Sequence, residues 1–378
     1  PVSTTFTGSG KLGIAPTLNG AFASALSTNT YSFASTLTGL SLGASSSTSG
    51  LTVNSDLTIA GPISLYGAGV AINNNIDTRT GGINGDVLVK SSVDISLAST
   101  KSIKTTGGDV VLWSNSDGSG GGYIYSLDRT KFDSRTNADR TNALISTASG
   151  GGSITLGGGS VSTTLASGTV VPTGYALETT STVPSGVTFG YFNNGHNSGI
   201  SLYSGGGNIT VRGKSTSVWS SSSDGIAAIE GLTMDAGTTG NITLDGQGGS
   251  ASASYSSGIY LDFWGSAATV GTLFKTNNGN ITFTGTGSLA SNNRGIILCC
   301  NATKAVTIEA IGTGSVTLTG TGATQDFYIS GANNILAASG AINIIGTGAG
   351  PLQEDTAITT IGYKAATDVT NSTSNVTI

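Results

Sequence analysis

Charge is scarce in this chain. Asp, Glu, Lys and Arg make up 9% of its 378 residues, where an ordinary soluble protein carries roughly 25%. With 15 basic and 20 acidic side chains and a net charge of −5, no clustered basic face can be assembled, so no nucleic-acid partner is expected. No apolar run approaches about 18 residues, so no membrane-spanning segment is expected either. Histidine occurs once, at His196, and cysteine twice, at Cys299 and Cys300. Two adjacent cysteines cannot build the disulfide framework of a small secreted domain. Without a Cys/His cluster, neither a metal centre nor a cofactor is expected. Neighbouring side chains of an extended strand point to opposite faces, which predicts a buried Cys300 and an outward Cys299. The latter is a candidate intermolecular thiol, and a strained vicinal disulfide between the two is the alternative.

Glycine, by contrast, is abundant: 59 residues, more than twice the usual share of about 7%. Disorder goes with high net charge and few β-branched residues, whereas Ile, Val and Thr recur here in phase. The composition predicts an ordered, all-β protein.

The glycines punctuate a repeated block. It reads Gly240-Asn-Ile-Thr-Leu-Asp-Gly-Gln-Gly248, then Gly279-Asn-Ile-Thr-Phe-Thr-Gly-Thr-Gly287, Gly314-Ser-Val-Thr-Leu-Thr-Gly-Thr-Gly322 and Gly340-Ala-Ile-Asn-Ile-Ile-Gly-Thr-Gly348. Looser copies begin at Gly108, Gly152 and Gly207. Each copy spells one short strand between tight bends. Alternation puts Ile242, Leu244, Ile281, Phe283, Val316, Leu318, Ile342 and Ile344 on one face, and Thr243, Thr282, Thr317 and Asn343 on the other. One such strand cannot bury its apolar face alone. Stacked coils at about 4.8 Å spacing bury it in a continuous column, and irregular spacing between blocks is what a solenoid tolerates. The expected fold is a parallel β-helix, right-handed by the usual chirality of crossovers. An antiparallel sandwich is the alternative.

Residues 1–48 lack the block and read as an irregular lead-in or cap. Residues 49–378 read as one solenoid with protruding loops near 114–150 and 160–197, the first with a helical turn around Thr136–Leu144. The start, Pro1-Val-Ser-Thr-Thr5, carries no basic-plus-apolar leader and reads as a processed or excised chain. The end, Asn371-Ser-Thr-Ser-Asn-Val-Thr-Ile378, is strand-like and has no polar cap, which predicts head-to-tail stacking or self-association.

Chemistry is harder to find. His196 lies in Asn193-Asn-Gly-His-Asn-Ser-Gly199, a turn composition. The β-helical pectin hydrolases place a histidine near an Arg-x-Lys, as Arg212-Gly-Lys214 stands here, but they also need paired aspartates, and between Asp139 and His196 the only carboxylate is Glu178. Asn115-Ser-Asp-Gly118 resembles half a calcium loop without its distal glutamate. In Gly258-Ile-Tyr-Leu-Asp-Phe-Trp264, alternation leaves Tyr260, Asp262 and Trp264 outward, a candidate surface for stacking on a sugar or anchoring a partner protein.

The Gly-Asn-Ile-Thr-Leu blocks, Gly85-Asp-Val-Leu-Val-Lys90 and Gly107-Gly-Asp-Val-Val-Leu-Trp-Ser-Asn-Ser-Asp-Gly118 together resemble the repetitive body of large bacterial exoproteins similar to filamentous haemagglutinin, over about residues 50–350. The resemblance implies a secreted or surface-attached right-handed β-helical stalk used in adhesion or matrix building. The first reading of the chain is accordingly a non-enzymatic structural or adhesive protein, with a glycan or cell-surface receptor as expected partner. The amino-terminal secretion domain of that family is not recognisable in residues 1–48. A second reading is a β-helical carbohydrate-active enzyme, which needs two carboxylates within about 10 Å in a groove. A third is ice or surface binding through a flat threonine array.

Overall fold

The computed structural model of the chain describes residues 4–16, 22, 24–81, 85–98, 100–126, 143–147, 151–179, 185–190, 200–216, 223–229, 231–249, 256–262, 271–288, 293–299, 305–331, 333–348, 352–355, 359–363 and 376–377. Among these, strands recur in a fixed order along the chain. One strand joins a 14-stranded sheet, here called the front sheet; the next joins an 11-stranded sheet and the third a 10-stranded sheet. Each strand pairs in parallel with its counterpart one coil away, so the molecule is a three-sided parallel β-helix. About eleven steps of ~4.8 Å along the front sheet make a rod roughly 50 Å long.

The interior is the column that the repeat predicts. Ile242 pairs with Ile281, Ile281 with Val316 and Val316 with Ile342. The same column continues back through Ile209, Ile154, Val110, Val87, Ile63 and Leu40. All ten side chains are buried. Phe283 of the front sheet meets Phe274 of the 10-stranded sheet edge-on across the core, ring centroids 4.8 Å apart, a favoured geometry for aromatic pairs.

The block's other residues have local causes. A Cβ at Gly279 would collide with the carbonyl oxygen of Gly240 one coil back, and a Cβ at Gly285 with that of Gly295 where the chain turns into the 11-stranded sheet. The asparagine before three of the front strands bonds the following coil: Asn208 Oδ1 accepts from Asn241 N (2.9 Å), Asn241 Oδ1 from Asn280 N (2.8 Å) and Asn280 Oδ1 from Ser315 N (2.9 Å). Asp86 and Asp109 do the same for Asp109 N (2.9 Å) and Ser153 N (2.6 Å). These side chains satisfy turn amides that the sheet ladder cannot reach.

Two boundaries differ from the sequence expectation. The stretch read as an irregular lead-in contains strands: Lys11–Ile14 pairs with Gly39–Leu42, and Leu26–Ser27 with Leu51–Val53, so the ladder begins well before residue 49. Gly39-Leu-Ser-Leu42 keeps the inward alternation without the flanking Gly-Asn signature. Inside the two expected loop excursions, Ile124–Ser126, Ala143–Ser146 and Ser185–Phe189 are sheet strands; of the expected helical turn, residues 136–142 lie outside the described residues. The first part of the second excursion is a hairpin. The front strand Ile154–Thr164 runs out past its coil and returns antiparallel as Val170–Gly174, with Thr163 opposite Val171.

Candidate functional site

The outer face of the front sheet carries the most organised surface chemistry. On the later coils, the residues between the buried ones form three hydroxyl-rich columns. Thr210, Thr243, Thr282 and Thr317 stand in register in the first. Asp245, Thr284 and Thr319 continue the second, and Gln247, Thr286 and Thr321 the third. All are half-buried, as expected for side chains standing side by side on a sheet.

The earlier coils break that pattern. The outward positions of Val87–Ser91 and Val110–Ser114 are Leu88 and Lys90, then Val111 and Trp113. The hairpin covers them: Val171 packs with Val111 and Trp113 in a buried cluster separate from the core, with Leu88 and Leu165 at its margin. The Trp113 indole Nε1 donates to Gly159 O at 2.7 Å, and the Lys90 ammonium sits 3.8 Å from the centroid of the same ring. Partial burial lowers the Lys90 pKa. At the hairpin's tip, Ser167 Oγ donates to Asp109 Oδ2 at 2.5 Å and Thr169 Oγ1 to Asp86 Oδ2 at 3.1 Å. At its base, Tyr175 Oη donates to Asp245 Oδ2 (2.9 Å) and accepts from Gln247 Nε2 (2.7 Å). Burial first, and then the neighbouring Asp245, push the Tyr175 phenol up to about 12.

The residues singled out from sequence fare differently. Tyr260 and Asp262 are brought together, the phenol donating to Asp262 Oδ2, but they form no open stacking surface. Asp262 is fully buried and Tyr260 half-buried, while Trp264 lies outside the described residues. On three strands of the 11-stranded sheet even the outward-phased side chains are buried: Thr188 of Ser185–Phe189, Ala227 of Asp224–Ile229 and Ile297 of Arg294–Leu298. The expectation for Cys299 is corrected as well, since it is 4% exposed and disulfide-bonded. It is therefore not an outward thiol; Cys300 lies outside the described residues. His196 also lies outside them, and Arg212 stands in register with Asp245 on the front sheet. The half calcium loop is a self-closed turn, in which Asp117 accepts from Ser119 N (3.0 Å) and Ser119 Oγ (2.8 Å). Among the described residues, no group of three or more His, Cys, Asp or Glu side chains is placed to hold a metal ion, and no helix is long and apolar enough to cross a membrane.

Sequence reasoning missed several buried acids, among them Asp224 with a strongly raised pKa. Asp224 of the strand Asp224–Ile229 is 2% exposed and accepts from Ser257 N at 2.8 Å. Desolvation raises its pKa to about 7, against the lowering effect of that hydrogen bond. Its signal was present: a carboxylate in the inward phase of Asp224-Gly-Ile-Ala-Ala.

No family model, curated protein or solved structure matches the chain.

Proposed function

We propose that this chain is an extracellular structural or adhesive rod: a stalk segment or filament-building subunit of a bacterial surface adhesin, secreted or attached to the cell surface, and not an enzyme. The observation that carries this reading is the unbroken register of the front sheet, from Leu40 to Ile342 inside and from Thr210 to Thr317 outside. Such a ladder spends the chain on length and stiffness while displaying a low-charge, hydroxyl-rich surface suited to many weak polar contacts. The sequence resemblance to filamentous haemagglutinin-like exoproteins points the same way. Partners of this rod are a glycan or cell-surface receptor on its flank and further β-helical coils at its ends.

The test uses the intact chain displayed on beads. Retention on glycan-coated or cell surfaces under flow, with soluble polysaccharides left uncut, is the expected result. Reducing ends released in proportion to protein concentration would replace this reading with that of a carbohydrate-active enzyme. Beads that hold no surface, together with only compact monomers in electron micrographs of the native preparation, would remove it.

A further inference from the structure

The hairpin from Ser160 to Gly174 lies over the outer face of the front sheet. On the later coils this face carries threonine, with no hairpin over it among the described residues. Here the sheet instead presents an indole, an ammonium over that indole and two carboxylates at one edge, and the chain then covers them with its own segment. The cover is thin. Its outer residues 160–164 are exposed, Val161 at 66% and Val170 at 47%, and the tip is held by one hydroxyl on each carboxylate.

What the hairpin offers to that surface has a definite chemistry. Aliphatic carbons of Val171 lie against the tryptophan, and the hydroxyls of Ser167 and Thr169 donate to the carboxylates of Asp109 and Asp86. A sugar ring presents the same combination: a C–H face that stacks on an aromatic ring, flanked by hydroxyls that donate to carboxylates. We propose that Trp113, Lys90, Asp86 and Asp109 form a saccharide-binding surface, and that the hairpin from Ser160 to Gly174 is a removable strap occupying it as the chain's own stand-in for the ligand. The two carboxylates select a neutral saccharide over an acidic one by like-charge repulsion. Because strap and sugar compete for one surface, the intact chain binds with an affinity reduced by its small open fraction. Short, exposed elements with few buried apolar contacts open locally without global unfolding. This inference rests on the adhesive reading above and gives its flank a location, a ligand class and a latch.

The experiment compares the intact chain with the double variant Ser167→Ala/Thr169→Ala, each with and without Trp113→Phe. Subtracting the Trp113→Phe proteins removes the emission of Trp219 and Trp264. The probes are neutral hexasaccharides of cellulose, xylan, mannan and chitin, with oligogalacturonate as the acidic arm. Unlatching is expected to make the Trp113 emission several-fold more quenchable by acrylamide and to tighten at least one neutral hexasaccharide about tenfold, in line with a larger open fraction. Oligogalacturonate is expected not to bind. Trp113 exposed by unlatching but indifferent to every neutral probe overturns the site; tighter binding of the acidic probe overturns the charge argument. If Trp113 stays protected in the double variant, residues 161–171 are replaced by a short Gly-Ser turn and circular dichroism confirms the β-helix. A strapless protein that still ignores the saccharides then overturns the proposal. Bead retention by the intact chain reports on the adhesive reading separately, so either idea can fail alone.

Discussion

Two regions of one sheet face make the most instructive contrast in this molecule. The coils at 87–91 and 110–114 present Leu88, Lys90, Val111 and Trp113 outward, under a hairpin. The coils at 281–286 and 316–321 present Thr282, Thr284, Thr286, Thr317, Thr319 and Thr321, with no hairpin over them among the described residues. Inside, the two regions match: Val87 and Val110 belong to the same buried column as Ile281 and Val316. The fold is therefore specified by the inward half of each strand, while the outward half is free to carry function. Where it carries apolar groups, cover must come from elsewhere, because a large exposed apolar patch invites association.

The contrast can be sharpened by substitution. If the interiors are equivalent, Ile154→Ala beside the hairpin and Ile281→Ala in the uncovered region should each cost about 2–5 kcal/mol by chemical denaturation. A large inequality would mean that the strap also supports the core. On the outer face the two regions should part: Trp113→Ala should cost about 3 kcal/mol, since a buried indole and its bond to Gly159 O are lost together. A cost under about 0.5 kcal/mol, the range of ordinary surface changes, would place Trp113 outside the stabilising structure.

A pH-linked effect comes from the 11-stranded sheet. The folded-state pKa of Asp224 is raised to about 7, from the ordinary 3.8, so folding favours the neutral acid. Its contribution is complete below pH 3.8, declines as pH rises, and is lost once pH passes about 7. Asp224→Asn should flatten that part of the stability profile; identical profiles for both proteins would show that the acid does not titrate in this window. The smallest effect is expected at Thr282→Ala on the uncovered face, within about 0.5 kcal/mol. A clearly larger loss would mean that the threonine columns brace the coils as well as coat them.

Much of this architecture was legible before any coordinates. Gly-Asn-Ile-Thr-Leu contains the corner, the side-chain bond to the next coil, two inward positions and one outward hydroxyl, and the structure uses each residue in that role. The strap was not legible, because its register with Trp113 is set by contacts across dozens of residues rather than by local alternation. One local clue existed: Val110-Val-Leu-Trp113 is apolar at four successive positions, the mark of a strand buried on both faces. The same clue in Gly295-Ile-Ile-Leu-Cys299 warned against an exposed thiol, and applying strict alternation there misplaced Cys299. Asp262 shows the same limit, since a period-2 pattern says which face a side chain takes but not whether that face meets solvent.

The row of asparagine and aspartate side chains beside the front sheet bears on how the rod is made. Several finished turns leave a carbonyl or carboxylate oxygen facing the place where the next turn's backbone amide arrives, as Asn241 does for Asn280 and Asn280 for Ser315. Growth can thus proceed by addition, one turn templating its successor, with no stage at which remote ends of the polypeptide must find each other. Lengthening such a protein, by duplication in evolution or by grafting at the bench, requires that a new segment bring an amide-accepting side chain to the same corner and apolar side chains to the same inward positions.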